Sequence, residues 1–171
     1  MSDFFSGAHL HLLVNHAPVL GTMFALALAV ASFLYAPDVL RRTALVVLVG
    51  CAIAAAAADY SGDPAENAIR GFPGVRREVI HQHEEMADKA FILSVALGVL
   101  SLAALVRWRR VPVPKGAAAG LVLASAFVGG AMLYTSLLGG RIRHTEVRPG
   151  ATEADAVTIE PRRPPGPRPP E

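Results

Sequence analysis

Apolar residues fall in four long blocks, at about 14–35, 43–58, 90–106 and 116–138, and the charged residues collect in the intervals between them. Each block is close to the ~20 residues that carry a helix across a bilayer core, and a helix satisfies its own backbone in lipid. The pattern predicts four transmembrane helices. Short connections make an up-down-up-down bundle the simplest all-α packing, with the first and third spans on a diagonal. The fourth block opens Gly116-Ala-Ala-Ala-Gly120 and later carries Gly129 and Gly130, a surface that lets another helix come close.

The interval between the second and third blocks has a pattern of its own. Asp63 as N-cap, Pro64 in the first turn and Glu66 start a short helix that Gly71 and Pro73 end, so a lid-like helix is expected there. Beyond Pro73-Gly74 the helical period resumes through Val79, Ile80 and Met86 into the third span. His81 and His83 fall in its first turns. From about Pro149 the chain is rich in proline and charge, which predicts a four-helix domain over 1–146 and a flexible Pro/Arg-rich tail over 147–171.

Composition agrees with a membrane chain: 53% of the 171 residues are hydrophobic. The first block lacks the basic start and small-residue cleavage site of a signal peptide, so it is read as a mature span. Arg41 and Arg42, and Arg107, Arg109, Arg110 and Lys115, sit in the two short connections that the positive-inside rule assigns to the cytoplasm. The middle connection mixes Arg70, Arg76, Arg77 and Lys89 with more acids. It and both termini are expected in the periplasm of a bacterial inner membrane.

The net charge of +2 is accounted for by topology and tail, so nucleic-acid binding is disfavoured. The single cysteine, Cys51, lies inside the second span and offers neither a disulfide framework nor a thiolate cluster. No phosphate loop, nucleotide fingerprint or nucleophile-and-base pair is present, so an enzyme acting on its own is disfavoured too. Gly139-Gly140 reads as helix termination.

The candidate chemistry is histidine. Threading gathers all six histidines, His9, His11, His16, His81, His83 and His144, at one end of the bundle. Helical phase puts His9 and His16 on one face and His11 and Asn15 on another, while His83 points inward and His81 lies with Glu84, Glu85 and Asp88. His16, with Asn15 beside it, and His83 then form the best facing pair, and two imidazoles across a bundle hold haem iron axially. Arg141 and Arg143 would meet the haem propionates. His9, His11 or His144 could replace either ligand.

The competing reading makes His11, His16, His83 and His144 a Zn or Cu site. His83-Glu84 starts like a zincin motif, but the position four after His83 is Ala87, so that motif fails. A third reading is a hydrogen-bonded network that fixes packing. Asp63 and Glu66 are then capping residues, while Asp59 could orient a histidine ring.

His9-Leu-His11-Leu-Leu-Val-Asn15-His16-Ala-Pro18 with Gly21, Ser61-Gly62-Asp63-Pro64-Ala65-Glu66, His83-Glu84 and Gly139-Gly140-Arg141-Ile-Arg143-His144 together resemble a group of small bacterial four-helix membrane proteins without an established function. That group looks like a relative of membrane domains of unknown function that begin with a His-Pro or His-Xaa-Pro element, some joined to Rieske-type domains. The resemblance covers about residues 9–146. It implies the four-span fold, singles out His11, Asn15, His16, His83, Glu84 and His144, and mildly favours electron transfer; the tail departs from it.

The expectation is an integral membrane cofactor-binding protein, a small haem b electron-transfer subunit whose partners are the lipid bilayer and a redox or other membrane protein. Zn or Cu handling or sensing is the first alternative. A non-catalytic structural subunit of a larger membrane complex is the second.

Overall fold

The structure is a computed structural model that describes residues 7–152; the predicted tail from 153 onward lies outside them. Its regular elements are α1 (Gly7–Val14), α2 (His16–Ala31), α3 (Pro37–Tyr60), α4 (Gly62–Ile69), α5 (Arg77–Arg107) and α6 (Lys115–Arg143), followed by a 3-10 turn over Thr145–Val147. No strand occurs among the described residues. Four helical stretches, Gly7–Ala31, Pro37–Ile69, Arg77–Arg107 and Lys115–Arg143, are long and apolar enough to cross a membrane.

The long helices pack as a ring in which α2 and α5 each lie against both α3 and α6, so α2 and α5 face each other across the diagonal. The arrangement of spans one and three is the expected one. The usual order of side-chain sizes is inverted: Ala25, Ala29, Ala44 and Ala118 are fully buried, while Leu20, Phe24, Ile53, Ile92, Leu123 and Phe127 are exposed. Small residues inside let the backbones approach, and bulky apolar ones outside suit a lipid solvent.

Gly98 shows how tight a seam becomes. A Cβ there would run into the Cβ of Ala52 on α3. Gly116 and Gly120, in contrast, face open space, so the small-residue surface expected at the start of α6 is not used inside this bundle; Gly129 lies against Thr22 and Met23 instead.

The lid-like helix is present as α4, starting two residues earlier than expected. Ser61, not Asp63, is the N-cap residue, and it makes no side-chain cap. Its hydroxyl donates back to the carbonyls of Ala57 and Ala58 at 2.8 and 3.0 Å, so Ser61 closes α3 while α4 begins. Glu66 pairs with Arg70 along α4 at 2.9 Å.

At the end carrying the two short connections, which we call the arginine end, the basic residues hold the chain together. Arg41 is 5% exposed; its Nη1 donates to the Val113 carbonyl at 2.7 Å, its Nε to Ser32 Oγ at 3.3 Å, and its guanidinium lies 5.6 Å from the Phe33 ring centre. Arg42 bonds Asp38 at 2.8 Å and the carbonyls of Trp108 and Val111 at 2.8 and 2.7 Å. Asp38 also accepts the Val113 N–H at 2.8 Å. The start of α3 thus caps the irregular connection between α5 and α6, whose carbonyls have no helical partner.

Arg41→Ala is expected to lower stability by about 2 to 3 kcal/mol, since it removes charged hydrogen bonds and strands a buried carbonyl. Arg41→Lys, with one compact head in place of the planar fork, should recover only part of that. Thermal unfolding of the detergent-solubilised protein measures both.

Candidate functional site

Pro18 decides how the opposite end is built. It lacks an amide N–H, and its ring crowds the carbonyl four residues back, on Val14. The first span accordingly breaks at Asn15 into α1 and α2. Below the break, α2 buries Pro18, Thr22, Ala25 and Ala29. At about 100° per residue, that stripe extended backward passes near Asn15 and His11 and leaves His9 and His16 on the far side.

The side chains follow this phase: His11 and Asn15 are half-buried, whereas His9 and His16 are exposed. The His16 ring rests on its own helix, with Nδ1 3.3 Å from the Leu12 carbonyl. The two faces expected of this segment are real, but the inward one carries His11. The structure therefore does not bring His16 opposite His83.

α1 packs chiefly on α4, and the two short helices cap this histidine end. Gly7 seats directly against Pro64, where a side chain would have no room. From α1, His11 reaches the last turn of α3, where its Nδ1 donates to the Ala58 carbonyl at 3.0 Å and lies 3.2 Å from Ser61 Oγ. The Ala58 carbonyl, in the last turn of α3, thus takes the His11 ring as well as the Ser61 hydroxyl. Asp59, which could have oriented a ring, is exposed on the outside of α3.

His83 reaches across to α6 in the same manner. Its Nδ1 donates to the Thr135 carbonyl at 3.0 Å, and Thr135 Oγ1 returns a bond to the Met86 carbonyl at 3.3 Å. Gly139 makes room for the ring, since a Cβ there would stand 3.0 Å from His83 Cε1. His11 is near enough to His83 for the two rings to interact electrostatically.

A carbonyl oxygen can only accept, so in both rings Nδ1 carries the hydrogen and, in the neutral form, Nε2 keeps its lone pair. Two imidazoles with fixed tautomers and unprotonated Nε2 atoms are a pair of metal-capable donors. Orientation of a ligating ring by a backbone carbonyl on its other nitrogen is what metal sites use.

The remaining candidates lie apart from this pair. The chain turns off α6 at His144, whose exposed ring bonds Glu146 at 2.9 Å. Glu146 also takes its own backbone N–H; that bond and the His144 ring hold its carboxyl below the ordinary glutamate value. Arg148 ties down the turn, donating to the carbonyls of Arg141, Ile142 and Gly74 at 2.8, 3.0 and 2.7 Å. Arg143 lies over the Phe72 ring at 5.6 Å. Arg141, half a turn past Gly139, has a buried Nε with no partner, and so does Asn15 at Oδ1.

His81 stands 3.9 and 3.4 Å from Glu84 and Glu85, on the polar face expected for it. Between α4 and α5 opens a cavity of about 390 Å³, lined among others by Glu66, Arg70, Arg77, His81 and Glu84. It includes neither His11 nor His83. Among the described residues, no group of three or more His, Cys, Asp or Glu side chains is placed to hold a metal ion. The four-histidine arrangement of His11, His16, His83 and His144 is thus not assembled; only His11 and His83 converge.

Comparison of the chain with protein-family profiles, curated proteins and solved structures found no match to any of them.

Gly139→Val should cost about 2 kcal/mol by forcing the His83 ring off its seat. Gly140→Ala, where a Cβ would meet nothing within 4 Å, should be neutral or gain up to ~1 kcal/mol of helix propensity. Equal melting temperatures for the two variants would contradict this packing of His83.

Proposed function

We propose that this is a multi-pass protein of a bacterial inner membrane that holds haem b between His11 and His83 and serves as a small electron-transfer subunit. Its histidine end would face the periplasm, with both termini there. The short, strongly basic connections support that orientation, because Arg107, Arg109, Arg110 and Lys115 join Arg41 and Arg42 at the other end. The single observation that carries the reading is the pair of inward imidazoles, each with Nδ1–H held by a carbonyl of a neighbouring helix and Nε2 left as donor.

The number of donors favours haem over a bare ion. Zinc takes three or four protein ligands, whereas haem would ask this chain for two imidazoles. His11 and His83 meet the smaller demand. The buried, unpartnered Nε of Arg141 fits a carboxylate acceptor, which a propionate would supply. When bound, haem supplies a one-electron couple; the residues of this chain orient its ligands and set its surroundings. A redox protein of the same membrane is the partner this reading requires.

A reduced-minus-oxidised spectrum of membranes holding the full chain, from haem-replete cells, tests the proposal. A b-type band is expected in the wild type and in His16→Ala, and its loss in His11→Ala and His83→Ala. No band in the wild type sinks the haem reading. Stoichiometric copper or zinc in the purified protein would put a bare ion in its place.

A further inference from the structure

The bundle interior carries hydroxyl groups whose hydrogen bonds do not close. Ser101 on α5 and Ser125 on α6 are 1% and 0% exposed, and the Oγ of each is buried without a partner. Other hydroxyls of this chain behave differently. Thr43, Thr135 and Ser136 each donate to the carbonyl four residues back in their own helix, at 3.0 Å in all three cases. Ser101 and Ser125 lack even that local bond.

A hydroxyl stranded in an apolar interior costs roughly 1 to 3 kcal/mol, and buried water is the usual partner of such a group. Nor do the two stand alone. The buried polar side chains of the bundle run along its length: Thr22 on α2, Ser94 and Ser101 on α5, Ser125 on α6, then Ser32 and Arg41 at the arginine end. Arg41 adds a further orphan, its buried Nη2.

Register orders these groups. His83 is level with Thr135 and Gly139, and Thr22 with Gly129 and Met132. With a rise of about 1.5 Å per residue, successive groups lie no more than ~10 Å apart along the axis, a gap that two or three waters span. Ser32, which accepts the Arg41 Nε bond, falls at about the level of Ser101.

We propose that Ser125, Ser101 and Arg41 line a file of internal water that opens towards the histidine end and is stopped at the arginine end by the Arg41 charge. Water supplies both donor and acceptor to each hydroxyl and accepts from Arg41 Nη2. A hydrogen-bonded file passes protons, each water taking one on one side and releasing one on the other. The permanent positive charge of Arg41, 5% exposed, repels an arriving proton, as a fixed arginine does in a water-selective pore. The file therefore exchanges protons with the histidine end without becoming a leak across the membrane. This inference does not depend on what His11 and His83 bind.

Two measurements on the full chain in lipid test it. In water-edited NMR, magnetisation should pass from water to Ser101 and Ser125 in the wild type; a dry signal at both overturns the proposal. In vesicles loaded with a pH-sensitive dye and driven by a potassium diffusion potential, the wild type and Arg41→Lys should be as proton-tight as protein-free vesicles, and Arg41→Gln should conduct. Adding Ser101→Ala and Ser125→Ala to Arg41→Gln should abolish that conduction. An Arg41→Gln variant that melts cooperatively yet stays tight, or conduction that survives loss of both hydroxyls, overturns the proposal. Should Arg41→Gln fail to fold, the NMR result on the wild type decides.

Discussion

Carbonyls that their own helices leave unsatisfied must find donors elsewhere, and at both ends of this bundle side chains from other segments supply them. At the arginine end Arg41 and Arg42 supply the carbonyls of Trp108, Val111 and Val113. At the histidine end His11 supplies Ala58 and Arg148 supplies Arg141, Ile142 and Gly74, while His83 adds a bond to the Thr135 carbonyl inside α6. Most of these ties connect segments distant in sequence.

The choice of donor separates the two ends chemically. A guanidinium has donors and no acceptor, so once bonded to carbonyls it is structural. An imidazole that gives Nδ1–H to a carbonyl still holds an acceptor and ligand at Nε2. The same device thus leaves the arginine end with donors only and the histidine end with two usable lone pairs. Pro18 marks the joint between α1 and α2, and α1 packs on α4 with His11 at the end of α3.

Much of this was legible beforehand. The four apolar blocks gave four long helices, the turn residues around Pro64 and Pro73 gave α4, and the inward phase of His83 followed from its place on one face with Met86 and Ala90. The inward place of His11 was legible too, through the stripe of Pro18, Thr22, Ala25 and Ala29 read back through the break, whereas pairing His16 with His83 takes the exposed face instead. Arg41 and Arg42 were read as topological charges because a sequence does not reveal which carbonyls lack partners. The Asp63 cap was displaced because Ser61 closes α3 and opens α4 at once.

The sequence by itself determined the helices, their order round the ring and the end at which the histidines gather, because hydropathy and helical period are local properties of each segment. Only the tertiary structure decided that His11 and His83 converge while His16 and His144 do not. It also decided that the first basic pair is spent on carbonyls and that Ser101 and Ser125 are left without partners. Each of these depends on which groups of one helix meet an unsatisfied group of another, and that is a matter of register and close approach that no single segment encodes.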